Sequence, residues 1–268
     1  MSTHTSRAFR RELTEIQGRL VAMGSRCEQL LSMASEALGE RDPDLAAEVG
    51  RADRLIDSAE MEIDELALRV LALRQPAAKD LRFIVFALKV VTDLERIGDE
   101  AANVAERAAQ LAHLGLPPPG VLPRLQEMAA LTRELVHGAL DAFVEEDVRA
   151  AREVRRRDDE VDALYVEVKR ACAALIAHDA EPSRSRGASP PSSSPRTSEK
   201  PRIALRANDF ASFPQESVEQ ALCLASTATY LERIADHAAA IADLVVFMAS
   251  GEDVRHRARK PEITSDRG

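Results

Sequence analysis

The sequence predicts an all-α fold: two tandem, pseudo-symmetric three-helix bundles with a disordered insertion between helices five and six. Three observations carry that prediction. Apolar residues recur in alternating steps of four and three over most of the 268 residues. Aromatics make up only 3%, with no Trp and two Tyr, too few for an aromatic-rich β fold. A stretch of helix three returns 137 residues later in helix six.

The first seam is Phe9, Leu13, Ile16, Leu20, Met23, Cys27, Leu30, Ala34 and Leu38, one stripe of a long helix. Gly39 to Asp42 interrupts it. Asp42-Pro43 restarts the chain as a helix, with Asp at the N-cap and Pro at the first helical position. A second seam runs Leu45, Val49, Ala52, Ile56, Ala59, Ile63, Leu66, Val70 and Leu73. After the turn at Arg74-Gln75-Pro76, helix three spans roughly 77–112. It is apolar over more than one stripe (Phe83, Ile84, Val85, Phe86, Leu88, Val90, Val91), as a helix with neighbours on two sides must be. GLPPPG at 115–120 ends the unit. Short loops between long amphipathic helices imply antiparallel neighbours, so residues 7–114 read as the first three-helix bundle.

Helices four (about 121–144), five (about 147–179) and six (about 214–250) make the second bundle, residues 121–250. TDLERIGDEAANVAE (92–106) faces TYLERIADHAAAIAD (229–243), agreeing at nine of fifteen positions. Chance at this composition gives roughly one or two. Residues 180–213 interrupt the duplication with a Ser/Pro/Arg-rich, aperiodic segment that reads as a flexible loop. Residues 251–268 read as a charged tail.

The chemistry lies in paired acids. Helix three carries Glu95 and Asp99, helix six Glu232 and Asp236, helix two Asp53 and Asp57, helix five Asp158 and Asp162. Each pair has i, i+4 spacing and so shares one helix face. Asp53 and Asp57 map onto Asp158 and Asp162 at an offset of 105. Counting from each hairpin turn puts Asp57 level with Glu95 and Asp53 level with Asp99. Asp162 is likewise level with Glu232, and Asp158 with Asp236. Four carboxylates on facing helices either take up a cation or rise in pKa. The donors suit a hard ion, Fe, Mn, Mg or Ca, before Zn. Among these candidate metal ligands, small residues beside Glu95 (Gly98, Ala102) leave room between helices. Glu60 and Asp64 extend the first acid stripe, where the second half has Tyr165 and Lys169. Glu106 falls near Glu95 and Asp99, and Asp243 is its match. Arg96 and Arg233 offer the alternative of neutralisation by salt bridges.

Other signals are weaker. Formal charge is −9, with 36 basic against 45 acidic residues, which disfavours general nucleic-acid binding. No apolar run approaches the ~18–20 residues of a membrane span, and that from Phe83 to Leu88 stops at Lys89. The N-terminus lacks an apolar signal core. Cys27, Cys172 and Cys223 are scattered and read as reduced packing residues of a cytoplasmic protein. His237 is an auxiliary ligand candidate beside Asp236. Glu134-x-x-His137 is half of a di-iron motif whose second copy is missing. The run Arg149, Arg152, Arg155, Arg156, Arg157 reads as a solvated face, with contact to anionic lipid or an acidic partner as the alternative. There is no phosphate-binding Gly-rich loop and no nucleophile elbow, and no catalytic residue is predicted.

At LERIGDEAANVAE and YLERIADHAAAIAD the sequence resembles the PhoU family of bacterial phosphate-signalling regulators. RADRLIDSAEMEID, RQPAAKDLRFI, VDALY and GEDVRH are also similar to that family, and the resemblance covers residues 7–179 and 214–256. It implies metal clusters held by E(D)xxxD motifs, here Glu95/Asp99, Glu232/Asp236, Asp53/Asp57 and Asp158/Asp162, with Fe expected first and Mn, Mg or Zn as alternatives. It implies a non-enzymatic, cytoplasmic adaptor, peripheral to the membrane through its partners, that represses phosphate uptake and phosphate-starvation signalling. The implied partners are the ATPase subunit of the phosphate ABC transporter and a sensor histidine kinase, with a homodimer admitted. Ala235 for Gly, Ala240 for Asn and Asp243 for Glu depart from the pattern at the second site. The competing readings are a carboxylate-bridged metalloenzyme (a phosphatase or oxidase) and a metal-free helical scaffold.

Overall fold

In a computed structural model, residues 2–115, 117, 120–179 and 215–251 are described, and every regular element among them is a helix. The elements are α1 (Ser2–Glu40), α2 (Pro43–Ala52), α3 (Arg54–Arg74), α4 (Ala78–His113), α5 (Val121–Glu145), α6 (Val148–Asp179) and α7 (Gln215–Ser250). The expected insertion at 180–213 and the tail from 252 onward lie outside the described residues.

The sequence-predicted second helix is two helices. It breaks at Asp53, whose carbonyl accepts from Ile56 N–H at 2.7 Å, an i→i+3 bond that tightens the turn. Heptad spacing runs through this point unbroken, so periodicity alone cannot reveal the break. α2 opens as its sequence requires: the Asp42 carboxylate accepts from the N–H of Asp44 and Leu45. The start of α6 repeats the device, with Asp147 accepting from Arg149 and Ala150 N–H. Asp42 and Asp147 are separated by the same 105 residues as the acid pairs.

α4 packs on α1, α2 and α3, and α7 packs on α5 and α6. These two central helices also pack on each other, which joins both repeats in one continuous apolar core. That is why α4 and α7 are apolar on more than one side. Ile84, Phe86, Val91, Leu94, Ile97 and Leu111 are fully buried along α4. Phe86 stacks on Phe143 of α5 with ring centroids 4.8 Å apart, and α1 meets α5 directly. At that crossing a Cβ on Gly24 would lie 2.6 Å from a methyl of Leu140. Polar groups cross the α4–α7 seam too: Arg233 donates to Glu100 at 3.1 Å, and His237 Nδ1 lies 3.0 Å from Asp93.

Candidate metal centre

The break at Asp53 places a carboxylate where α2, α3 and α4 converge. Oxygens of Asp53, Asp57 and Asp99 all lie within 4.8 Å of one another. Asp53 therefore meets Asp99 across the hairpin, as counting residues from the turn predicts. The approach depends on Gly98, because a Cβ there would stand 2.8 Å from Asp53 Oδ1 and 2.9 Å from the Ile56 Cδ1 methyl. The space that Gly98 leaves is taken by the Asp53 side chain.

The electrostatics of this quartet are unresolved internally. Asp53 Oδ1, Glu95 Oε2 and Asp64 Oδ1 are buried and accept no hydrogen bond. Burial, with Asp57 and Asp99 alongside, raises Asp53 to about 6. Burial first, then Asp99, also raises Glu95 against the opposing pull of Arg96. Glu60 is raised by burial and by Asp64, and Asp64 by burial. Arg96 offers partial relief at the rim, 3.4 Å from both Glu95 and Asp99, but its side chain is more than half exposed. Glu106 does not join the cluster: it is exposed and pairs with Arg107 at 3.0 Å. Asn103 turns to Glu100.

These residues fit a hard cation. A triangle of oxygens this size matches an ion bonded at roughly 2.0–2.6 Å, and the unsatisfied carboxylate oxygens are its natural donors. Such an ion would neutralise the acids and tie α2–α3 to α4.

The second quartet is assembled on α6 and α7 with different surroundings. Asp158 is 4% exposed, Glu232 is half-buried, and Asp162 and Asp236 are exposed. Burial, with Asp236 next, raises Asp158 to about 6 despite Arg155. Burial and Asp236 raise Glu232 as well. Arg155 donates to Asp158 at 2.7 Å and its Nε is 3.9 Å from Asp243. Among the described residues no three acids of this repeat come as close as Asp53, Asp57 and Asp99. Asp158, Asp162, Asp236 and Glu232 still act on one another electrostatically, so the second quartet is a looser grouping of the same acids.

Several expectations are corrected. Arg233 does not hydrogen-bond its neighbour Glu232 but reaches across the seam to Glu100, because α4 and α7 cross there. His237 likewise faces Asp93, not the second quartet. His137 bridges Glu28 of α1 and Asp141, while Glu134 pairs with Arg157. The basic run on α6 is not merely solvated: Arg155, Arg156 and Arg157 each hold an acid. Arg155 is the residue that reading the sequence missed, although its i, i+3 spacing to Asp158 was visible. Where α3 carries Glu60 and Asp64, α6 carries Tyr165 and Lys169, with the ammonium 5.2 Å from the ring centroid.

A helical duplication in which each half presents paired carboxylates on facing helices defines the class. The PhoU domain model matches residues 20–108 and 125–189, and the chain belongs to the PhoU family. A relative from Pseudomonas putida, a "phosphate-specific transport system accessory protein PhoU homolog", is 35% identical over 97% of this chain and 88% of its own. One of the same description from Pseudomonas aeruginosa is 35% identical over 100% and 97%. The crystal structure of PhoU from Pseudomonas aeruginosa superposes with a TM-score of 0.75 at 34% identity. It covers 91% of this chain and all of that one. The phosphate transport system regulatory protein PhoU from Streptococcus pneumoniae shares the fold, with a TM-score of 0.73 at 24% identity over 92% and 99%.

Proposed function

We propose that this protein regulates phosphate transport, as a non-catalytic adaptor that restrains phosphate uptake and phosphate-starvation signalling when phosphate is plentiful. The observation that carries this reading is full-length similarity to relatives named accessory proteins of the phosphate-specific transport system. Its partners in this reading are the transporter's ATPase subunit and the sensor histidine kinase. No described helix is long and apolar enough to cross a membrane, so contact with the transporter would be made through protein surfaces. Deleting the gene should release a phosphate-starvation reporter in phosphate-rich medium, and the intact gene should restore repression. A deletion strain that stays repressed overturns the reading.

Metal enters the same proposal at the first quartet. Asp53, Asp57, Asp99 and Glu95 would hold an oxygen-liganding cation, iron first, with Mn, Mg or Zn as alternatives. The support is the cluster of Asp53, Asp57 and Asp99, in which Asp53 Oδ1 is buried and accepts no hydrogen bond. Metal content of anaerobically purified protein should fall to background in Glu95→Ala/Asp99→Ala. The metal-free scaffold has one observation in its favour, the Arg96 contacts to Glu95 and Asp99. Equal metal content in the native and variant proteins would favour it.

A further inference from the structure

We propose that Arg155 is the resident cation of the second carboxylate quartet, so that this chain takes up divalent metal in its first repeat only. The proposal rests on the reading that the first quartet binds metal, but its central claim concerns the second. At the offset relating the repeats, Arg155 stands where the first repeat has Gly50. A Cβ built on Gly50 meets nothing within 4 Å, so the first repeat leaves that position open. In the second repeat that position carries an arginine whose side chain is, like that of Arg96, more than half exposed, but whose Nη1 lies 2.7 Å from Oδ2 of Asp158, the most buried acid of the set. Its Nε lies 3.9 Å from Asp243, close enough for charge attraction though not for a hydrogen bond. The corresponding acid of the first repeat, Glu106, is turned away toward Arg107.

Two further differences act in the same direction. Position 235 is Ala where position 98 is Gly. A methyl at 98 would intrude on Asp53 to 2.8 Å, so the methyl that position 235 carries works against the equivalent approach of Asp158. Asp162 and Asp236, the partners that should close the cluster, lie at the exposed surface. A divalent ion would need bonds of roughly 2.0–2.6 Å to Asp158. It would therefore have to displace the guanidinium and tolerate its charge nearby.

The test counts Mn2+ bound per full-length chain by electron paramagnetic resonance and native mass spectrometry. Wild-type protein should lose its bound Mn2+ in Asp53→Ala/Asp99→Ala and keep it in Glu232→Ala/Asp236→Ala. Arg155→Gln should bind additional Mn2+, and adding Glu232→Ala/Asp236→Ala should remove that increment. Arg155→Lys, which keeps the charge but not the fork, should gain less Mn2+ than Arg155→Gln. The apo Arg155→Gln chain should melt below wild type, since it leaves Asp158 without its cation, and Mn2+ should reverse the drop. The proposal is overturned if Glu232→Ala/Asp236→Ala lowers the wild-type count, or if Arg155→Gln gains no Mn2+. An unfolded Arg155→Gln chain that Mn2+ does not rescue also overturns it. Wild-type protein that binds no Mn2+ sinks the first-quartet reading instead, while the Arg155→Gln arm still decides the second.

Discussion

The two repeats present the same acids at the same spacing and treat them differently. In the first, three carboxylates converge within 4.8 Å and buried oxygens of Asp53 and Glu95 accept no hydrogen bond. In the second, the equivalent of Asp53 is more deeply buried but holds an arginine. The four acid pairs are therefore not what distinguishes the sites. The distinction lies in their neighbours: Gly50 against Arg155, Gly98 against Ala235, an outward Glu106 against an inward Asp243, Glu60 and Asp64 against Tyr165 and Lys169, and an Arg96 that contacts its quartet against an Arg233 that reaches Glu100. Duplication supplies a pair of identical charge problems. Burying like charges costs free energy in both, and Arg155 opposes the rise of Asp158 without cancelling it.

The sharpest way to break this comparison is at the close approach. Gly98→Ala puts a methyl 2.8 Å from Asp53 Oδ1 and 2.9 Å from Ile56. Forcing the helices apart should cost about 1–3 kcal/mol in urea unfolding and lower Mn2+ affinity. The reverse change, Ala235→Gly, meets no such conflict and should cost the helix-propensity difference, about 1 kcal/mol, plus the packing of one buried methyl. Equal losses would mean that the two approaches are equivalent and that glycine has no special part in the first.

pH should separate the repeats next. Asp53, facing Asp57 and Asp99, and Asp158, facing Asp236, Arg155, Asp162 and Asp159, are both raised from 3.8 to about 6. The folded chain thus binds these protons more tightly than the unfolded chain. Their contribution is fully present below about 3.8 and is lost as pH rises through about 6. Apo protein should accordingly lose part of its stability between about pH 4 and pH 6, on the order of a few degrees in Tm, and show little further change from these groups above that. Mn2+ should offset the loss at neutral pH and weaken below about pH 6, where protons compete for Asp53. Asp53→Asn should remove the Mn2+ effect and leave the Asp158 part of the profile. A profile unchanged by Mn2+ from pH 5 to 8 would contradict this assignment.

The duplication, the ends of α4 to α7 to within a residue, and the approach of Asp53 to Asp99 were legible from periodicity and equal counts from the turns, whereas α1 extends several residues beyond its apolar seam. The break at Asp53 was not legible, because a tightened turn leaves heptad spacing intact. Nor were the partners of Arg233 and His237, which depend on how α4 crosses α7. A helical wheel identifies the face a residue occupies but not which neighbouring helix lies against it. Arg155 illustrates the same gap: within a run of arginines it looked solvated, and only the depth of Asp158 beneath it makes it a counter-ion.

The smallest expected effect tests whether the repeats remain equivalent away from the acids. α2 and α6 start with matched caps, Asp42 accepting from Asp44 and Leu45 N–H, and Asp147 accepting from Arg149 and Ala150 N–H. Both satisfy backbone donors that the first helical turn leaves free, and both place a negative charge at the positive end of a helix. The two backbone bonds hold the Asp147 carboxyl below its ordinary range. Asp42→Ala should cost about 1 kcal/mol. Asp147→Ala should lower Tm in step with it, and Asn at either position should recover most of the loss. Because α2 runs directly into Asp53, Asp42→Ala should also weaken Mn2+ binding slightly. Asp147→Ala should leave the Mn2+ count unchanged, since the helix it caps leads to a carboxylate already held by Arg155. Matched stability losses with unmatched effects on Mn2+ would place the difference between the repeats in the surroundings of the acids, and unmatched losses would place it in the helices themselves.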